Sequence, residues 1–553
     1  MSIVADSNVT IAHLGIVSGI IDKLGICEYI DRLIPKKRSH IVTHGEAVKA
    51  LLLNCLGFTE RRLYLMPEYF DDVATERLIG EGIEAKHLNQ YLFGETLDAI
   101  AAAGPTELFT GIILEILDNL LHGVLRLHYD TTTISVTGEY DQELNTRLIK
   151  LVRGHSKDHR NDLKQLVLCL VTDQRGIPVF MEPLSGNASD KKTLIRTIQE
   201  VRKNFNTDEK VYHMADSALY AAKMVQDLGS HCYWITHVPE TIKEVKTILK
   251  SDVEWIPCSD ARYKYAVFDS NYGGIDQKWF LFHSEERHKA SIKHDIEKIE
   301  EKLAKSQTAL NKSLVNGFAC ENDARLAVER WMSKHKRYIL SDIEITCDNK
   351  KPSGKVGRPK KGEVLEKWYS VSCKLALNQE VIQKEQAMMG RFILASNDTT
   401  VDPNTCLEYY KEQNAVERGF RFIKGNSFHA SEVYLENSNR VAALSMIMVL
   451  CLLVYSFTEW VVRETLKIEK KKIRDQKGKP TQRPSAKWLF FMFRRVRQIK
   501  EIDNSRIIVR ILNFTDELRD IVRLIGPHVE KYYACIFWCR VSVIYLFIRK
   551  KVK

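Results

Sequence analysis

Apolar and polar positions change period along the chain, and the changes divide it. Through residue 120 the apolar residues recur at helical spacing. Thr43 and Glu46 form a Thr-x-x-Glu capping box ahead of Ala47, Leu51, Leu52 and Leu56, which predicts a helix there. Further helical patterns cover 65–80, 84–103 and 105–122. From residue 125 the period becomes two: Leu125, Leu127 and Tyr129 alternate with Arg126, His128 and Asp130. That is the pattern of a half-buried strand whose polar face ends on Asp130, and the β-branched run 131–136 extends it. Residues 164–172 are an almost unbroken apolar strand, and the turn residues 173–176 fold it into 177–184 as a hairpin. Asn187 to Asp190 open a helix reaching about Asn204. A fourth strand, 211–215, delivers Asp216, and a helix over 218–228 and a strand over 232–238 follow.

A hairpin-containing set of strands followed by alternating helix and strand describes a mixed α/β sheet. If the first and fourth strands are neighbours, Asp130 and Asp216 lie side by side, in the strand order of a ribonuclease-H-like domain with helices on both faces. Residues 240–390 interrupt this texture. They hold β-rich segments at 253–257, 263–268 and 279–282, and a charged helix over 284–312 with Ile292, Ile296, Ile299, Leu303 and Leu310 on one stripe. Residues 350–362, KKPSGKVGRPKKG, have too little apolar content to pack. Their Gly-Arg-Pro centre makes Lys355, Arg358 and Lys360 candidate minor-groove contacts, with a solvated basic linker as the alternative. Residues 391–395 predict a strand returning to the sheet.

The next helical pattern carries most of the remaining chemistry. A second capping box, Thr405 to Glu408, predicts a helix start. Val416, Phe420 and Ile423 form its apolar stripe, and Tyr410, Gln413, Glu417 and Lys424 fall on the adjacent face, with Arg418 and Arg421 nearby. An apolar helix over 440–462 includes eighteen consecutive uncharged residues, 441–458. That length is borderline for a bilayer span, and a helix buried in a large core is the preferred reading. Between Arg463 and Lys500 fourteen Lys and Arg stand against three Asp and Glu, interleaved with Trp488, Phe490, Phe491 and Phe493. This suits either a phosphate-contacting surface or an amphipathic helix with a solvated basic face. The resulting domains are a helical N-terminal region, 1–120, as a candidate DNA-binding module, a catalytic core split into 121–239 and 391–462, an insertion over 240–390, and a basic C-terminal region, 463–553.

Composition changes this picture little. The chain has 553 residues, too many for one core, and 82 Lys and Arg against 71 Asp and Glu give a net charge of +11. That balance suits a polyanionic partner. The twelve cysteines are scattered without a C-x-x-C pair, the usage of a reducing cytosol rather than of a disulfide framework or zinc site. The pairs His40/His44 and His155/His159 have helical ligand spacing but no third ligand in register. The N-terminal residues lack the basic and apolar regions of a secretory leader. The expected location is a reducing cytosol, without a membrane.

Two acids on adjacent strands and one on a covering helix can hold two divalent ions for in-line phosphoryl transfer. Oxygen donors favour Mg²⁺, with Mn²⁺ as a substitute. The motifs HYDTTT (128–133), MADS (214–217) and Tyr410-x₂-Gln413-x₃-Glu417-x₆-Lys424 together resemble the bacterial insertion-sequence DDE transposases, in particular the branch with a Tyr-Arg-Glu-Lys motif and a large insertion before the Glu. The resemblance spans about 125–440, and the N-terminal stretch around 43–58 also looks like the leader domain of such proteins. It implies that Asp130, Asp216 and Glu417 are the catalytic metal ligands, and that DNA is cut at the element's terminal inverted repeats and joined to target DNA. It further implies that Tyr410 and Lys424 hold the DNA, with Gln413 and Arg421 beside them, and that a homodimer assembles on DNA. Gln413 stands where the family usually has Arg, which puts a hairpin-forming second-strand cut in doubt. The family's base-stabilising aromatic would be Trp255, Trp279 or Trp331. An inactive DNA-binding relative, or a nuclease of the same fold, is the alternative.

Overall fold

A computed structural model describes residues 4–37, 40–57, 63–120, 122–138, 140, 148–157, 159–204, 210–217, 220–229, 232–315, 317–350, 366–425, 435, 437–503, 506–539 and 542–545. The chain divides into two compact units, one of residues 1–236, 272–275 and 407–553, the other of 237–271 and 276–406.

In the first unit the change to period two at residue 125 marks a sheet. Its strands are Arg126–Val136, Lys164–Asp173, Pro178–Ser185, Tyr212–Ala215 and Tyr233–His237. Spatially the third lies beside the second, the second beside the first, the first beside the fourth and the fourth beside the fifth. The first three are antiparallel, and the fourth and fifth run parallel to the first. This is the ribonuclease-H-like order. The hairpin closes as the turn residues predict, with Gly176 donating to the Asp173 carbonyl at 2.9 Å and adopting φ +79°, a conformation glycine takes without a Cβ penalty.

The helical N-terminal pattern is present as His44–Leu56, Gln90–Ala103 and Pro105–Asn119, with shorter helices between. The Thr43 box forms in full, Thr43 Oγ1 accepting from Glu46 N at 3.1 Å and Thr43 N donating to Glu46 Oε2 at 2.7 Å. Helix Ser438–Ile468 is the core element onto which Gln90–Ala103, His44–Leu56 and Asp516–Ile525 pack. Its apolar window is 89% buried, as expected of a core helix.

One expectation is corrected here. Residues 4–10, read as part of a helical region, form the strand Val4–Thr10. It pairs with Arg497–Asp503 in an antiparallel sheet completed by Arg506–Leu512, Ile536–Cys539 and Ser542–Tyr545. The two ends of the chain are therefore one structure. The helix Leu14–Lys23 packs on Pro527–Glu530, and Lys49, almost fully buried, reaches Asp22 at 2.6 Å and the Tyr532 hydroxyl at 2.9 Å.

In the second unit, strands Arg391–Ser396, Gln277–Ser284, Tyr263–Ser270 and Ile256–Pro257 pair in that order, antiparallel. The charged helix runs Glu285–Val315. Its expected stripe is buried only in part: Ile296 is 48% exposed, whereas Leu310 and Leu314 join Ala324, Val328 and Trp331 in a core. The sequence reading missed the hairpin of Tyr338–Lys350 with Glu366–Leu377, whose register sets Lys350 opposite Glu366. The basic loop with Lys355, Arg358 and Lys360 connects those strands and lies outside the described residues.

Lys49→Ala leaves Asp22 with one half-exposed lysine and a tyrosine in a buried setting. We expect a loss of about 3 kcal/mol, read as a lowered urea midpoint. An unchanged midpoint would mean that strand pairing and apolar contacts hold these segments together without the buried ion pair.

Candidate active site

Arg126, His128 and Asp130 alternate along one strand and so share a face. The parallel register pairs Arg126 with Tyr212, His128 with Met214 and Tyr129 with Ala215. One further step sets Asp130 beside Asp216, the residue that follows the fourth strand. The opposite face of this strand pair is fastened by Tyr129, whose hydroxyl lies 2.8 Å from His213 Nδ1. Both side chains are buried, and burial pushes His213 down to about 3, so it is neutral at physiological pH.

The two aspartates differ in environment. The Asp130 side chain is 22% exposed and its carboxyl is raised to about 6. Burial is the main cause, and the Asp216 charge adds to it. Lys157 and the Thr131 N–H, which donates to Asp130 Oδ1 at 2.7 Å, pull the other way. Asp216 is exposed, and its carbonyl accepts from Thr236 Oγ1 at 2.9 Å.

Glu417 stands on the helix Asn414–Ile423, which packs on the strands of Asp130 and Leu170 and on the long core helix. Val416, Phe420 and Ile423 are buried as their spacing predicts, and Glu417 faces outward, exposed. Gly419 allows the close approach: a Cβ there would lie 3.0 Å from Leu452 Cδ2 and 3.9 Å from Leu170 Cδ2. Leu170 is the cross-strand partner of Asp130, so the helix crosses the sheet at the aspartate's own position. Among the described residues, no three His, Cys, Asp or Glu side chains converge closely enough to hold a metal ion.

The helix itself departs from expectation. Asp402, not Thr405, caps its start, with Thr405 N donating to Asp402 Oδ2 at 3.0 Å. The helix breaks after Lys411 and resumes at Asn414. Tyr410 and Gln413 therefore do not continue the Glu417 face, whereas Arg421 and Lys424 remain on its second segment, Arg421 exposed and Lys424 half-buried. Gln413 occupies the cap position of that segment, and its Oε1 is buried without a hydrogen-bond partner among the described residues.

The turn at the break carries an anchor that spacing does not reveal. Glu412, in the turn, makes a two-point pair with Arg126, Nε to Oε2 at 2.7 Å and Nη2 to Oε1 at 3.0 Å. It also lies 3.6 Å from Nε2 of the fully buried His128. The Arg126 guanidinium lies 4.4 Å from the Tyr409 ring centre. The residues that lead into the Glu417 helix are thus fixed to the strand that carries Asp130.

Lys157 was also missed. From the loop after 148 its ammonium lies 3.6 Å from Asp130 Oδ1 and donates to the Thr131 carbonyl and Oγ1 at 2.5 and 3.0 Å. Of the aromatic candidates, Trp279 and Trp331 are core residues, and Trp255 is half-buried beneath Lys264 and Arg391. In the basic C-terminal stretch Phe490 and Phe493 are core, while Phe491 is 43% exposed under the Arg494 guanidinium.

Asp130 and Asp216 offer oxygen donors of the kind that hard divalent cations take, but Glu417 does not join them closely enough to complete a three-ligand group among the described residues. Two neighbouring carboxylates, one desolvated, repel each other, and a single ammonium only partly offsets that.

Two predictions follow from this geometry. A raised carboxyl pKa means that the folded chain binds an extra proton between pH 3.8 and about 6, so this group's contribution to stability declines as pH rises through that window. Asp130→Asn should therefore stabilise the metal-free protein at pH 7.5 by about 1–3 kcal/mol and much less at pH 4.5. Equal effects at both pH values in denaturant titrations would remove burial as the cause. Glu412→Gln should cost about 1.5–3 kcal/mol and speed amide exchange over 414–423. Unchanged exchange there would show that the apolar stripe alone holds the helix.

Comparison with known families gives a consistent result. Residues 126–454 match the family described as Transposase DDE domain, and residues 7–114 match a domain of unknown function, DUF4277. No curated protein matches the chain. The first match covers more than half of the sequence and begins on the strand of Asp130; the chain belongs to the DDE transposase family, enzymes that act on DNA.

Proposed function

We propose that this transposase cuts DNA at the ends of an insertion sequence and joins the freed ends to target DNA, with Asp130, Asp216 and Glu417 as its catalytic acids. The observation that carries this reading is the register that sets Asp130 beside Asp216 on parallel neighbouring strands, under the helix bearing Glu417. These three residues would hold two Mg²⁺ or Mn²⁺ ions. When bound, such ions supply charge stabilisation for the attacking and leaving oxygens of an in-line displacement.

The chain's own residues do the rest. Asp130, with a carboxyl near 6, is ionised at neutral pH and ready to take a cation. Lys157 neutralises it until then and screens it from Asp216. Lys424 and Arg421, on the segment that carries Glu417, would present cations to the DNA backbone as point charges, and Tyr410 and Gln413, ahead of that segment, are the other proposed DNA contacts. Gln413 offers a neutral amide where the resembled branch usually has Arg, so it would contact DNA as an uncharged donor. Lys355, Arg358 and Lys360 would contact the minor groove. The substrate is double-stranded DNA, the terminal inverted repeats and the target, bound by a homodimer in the bacterial cytosol.

Asp130→Asn, Asp216→Asn and Glu417→Gln should each abolish cleavage and joining of a pre-cut end with Mg²⁺, while end-binding stays near the parent level. Because metal ligands act as a unit, a double variant should lose no more than a single one. Cleavage at parent rate by any one variant removes that residue from the site. Cutting without joining by the parent protein identifies a nuclease instead, and end-binding without either reaction an inactive relative.

A further inference from the structure

The Glu417 helix has a second flank, which the reaction above does not use. There the helix, the core helix Ser438–Ile468 and the segment around Arg483 enclose a cleft of about 700 Å³. Arg175 and Gly176, from the turn between the second and third strands, also line it. Arg418, the residue after Glu417, stands on its wall. Successive helical side chains are turned by about 100°, so a ligand here lies along the helix beside Glu417 and not on its face.

The lining is strongly cationic. Arg175, Arg418, Arg463, Lys467 and Arg483 face it, against Glu459 and Glu464. Glu459 is already taken by Arg463, at 2.6 Å. Arg418, Lys467 and Arg483 are exposed and have no ion-pair partner among the described residues. Arg463 also donates to the Pro484 carbonyl at 3.0 Å. Burial lowers its affinity for a proton; Glu459 opposes this, and the neighbouring charges of Arg418 and Arg483 add to it. Arg175 is held by Asp173 at 2.5 Å, and its Nη2 is buried without a hydrogen-bond partner among the described residues. Positive charge is concentrated here beyond what the protein itself neutralises.

The cleft also has an aromatic side. Trp460, Tyr455 and Phe422 line it, with the Arg175 guanidinium 5.4 Å from the Trp460 ring centre. Arginines that track phosphates beside aromatic rings are the arrangement by which proteins hold single strands. The volume lies within the range of small-ligand pockets, about 300–1,000 Å³, which admits an unpaired nucleotide and not a duplex.

We propose that this cleft binds an unpaired nucleotide of a DNA strand, its phosphate against Arg418, Arg463 and Arg483 and its base toward Trp460. The proposal rests on the transposase reading, and it gives that enzyme a second strand-holding site on the far flank of the catalytic helix. There a strand released from its duplex is retained beside Glu417.

The test is binding of a fluorescein-labelled oligothymidylate to the full chain, followed by anisotropy in EDTA, where no cleavage occurs. Arg418→Ala/Arg483→Ala should weaken binding at least tenfold. It should also lower the slope of log affinity against log salt by about 0.7 per lost cation. Arg418→Lys/Arg483→Lys should keep most of the parent slope, and Trp460→Ala should weaken binding with the slope unchanged. Thymidine monophosphate should compete at lower concentration than inorganic phosphate. Parent affinity and slope in the double alanine variant, with folding verified by circular dichroism, overturn the proposal; so does phosphate competing as well as the nucleotide. The strand-transfer reading stands or falls separately, on cleavage by Glu417→Gln in Mg²⁺.

Discussion

Two carboxylates on neighbouring parallel strands are the constraint around which the first unit is arranged. A strand pair that sets an acid within one strand beside an acid just past the end of its neighbour places like charges side by side, and burying one of them adds a desolvation cost to the repulsion. The Asp130 carboxyl, raised to about 6, records that cost. A chain keeps such an arrangement only if the surrounding sheet is stable enough to hold it. Here the neighbouring strand Lys164–Asp173 is buried along almost its whole length, and Tyr129 with the neutral His213 ties the two aspartate strands together on the opposite face.

The same strand also fixes what covers it. Glu412 could have continued a helix from Pro403 to Ile423. Instead it turns to Arg126, two positions from His128 and four from Asp130 on the shared face. A two-point carboxylate–guanidinium pair is directional, so it sets the orientation of the following segment as well as its position. The buried stripe of Val416, Phe420 and Ile423 then seats that segment on the sheet. At the helix break the chain has a defined anchor on the strand that carries Asp130.

Much of this was legible in the sequence because it is local. The shift to period two at residue 125, the hairpin turn at 173–176, the Thr43 capping box and the apolar stripe of the Glu417 helix all depend on residues a few positions apart. What was not legible depends on distant partners. Glu412 and Arg126 are 286 positions apart, and neither looks unusual in its own window. The strand Val4–Thr10 is polar at several positions, and its partner, Arg497–Asp503, lies near the other end of the chain. Lys157 sits in a segment without periodicity, where no pattern can distinguish a lysine that neutralises an aspartate from one facing solvent. The hairpin of Tyr338–Lys350 with Glu366–Leu377 was missed because its strands flank the basic residues 350–362, whose composition reads as an interruption and not as a turn between paired strands.

The position of the Glu417 helix depends on an absence of bulk. At Gly419 any side chain would meet Leu452 at 3.0 Å, closer than packed carbons settle without displacement, and the core helix that carries Leu452 is too deeply buried to yield easily. The small residue therefore lets the helix descend onto Leu170, the partner of Asp130 across the strand pair. A larger residue there would need the Leu452 side chain to give by a few tenths of an ångström. Arg418 and Phe422, the neighbours of Glu417 and Gly419 on this helix, line the cationic cleft, so the close contact at Gly419 seats both flanks of the helix.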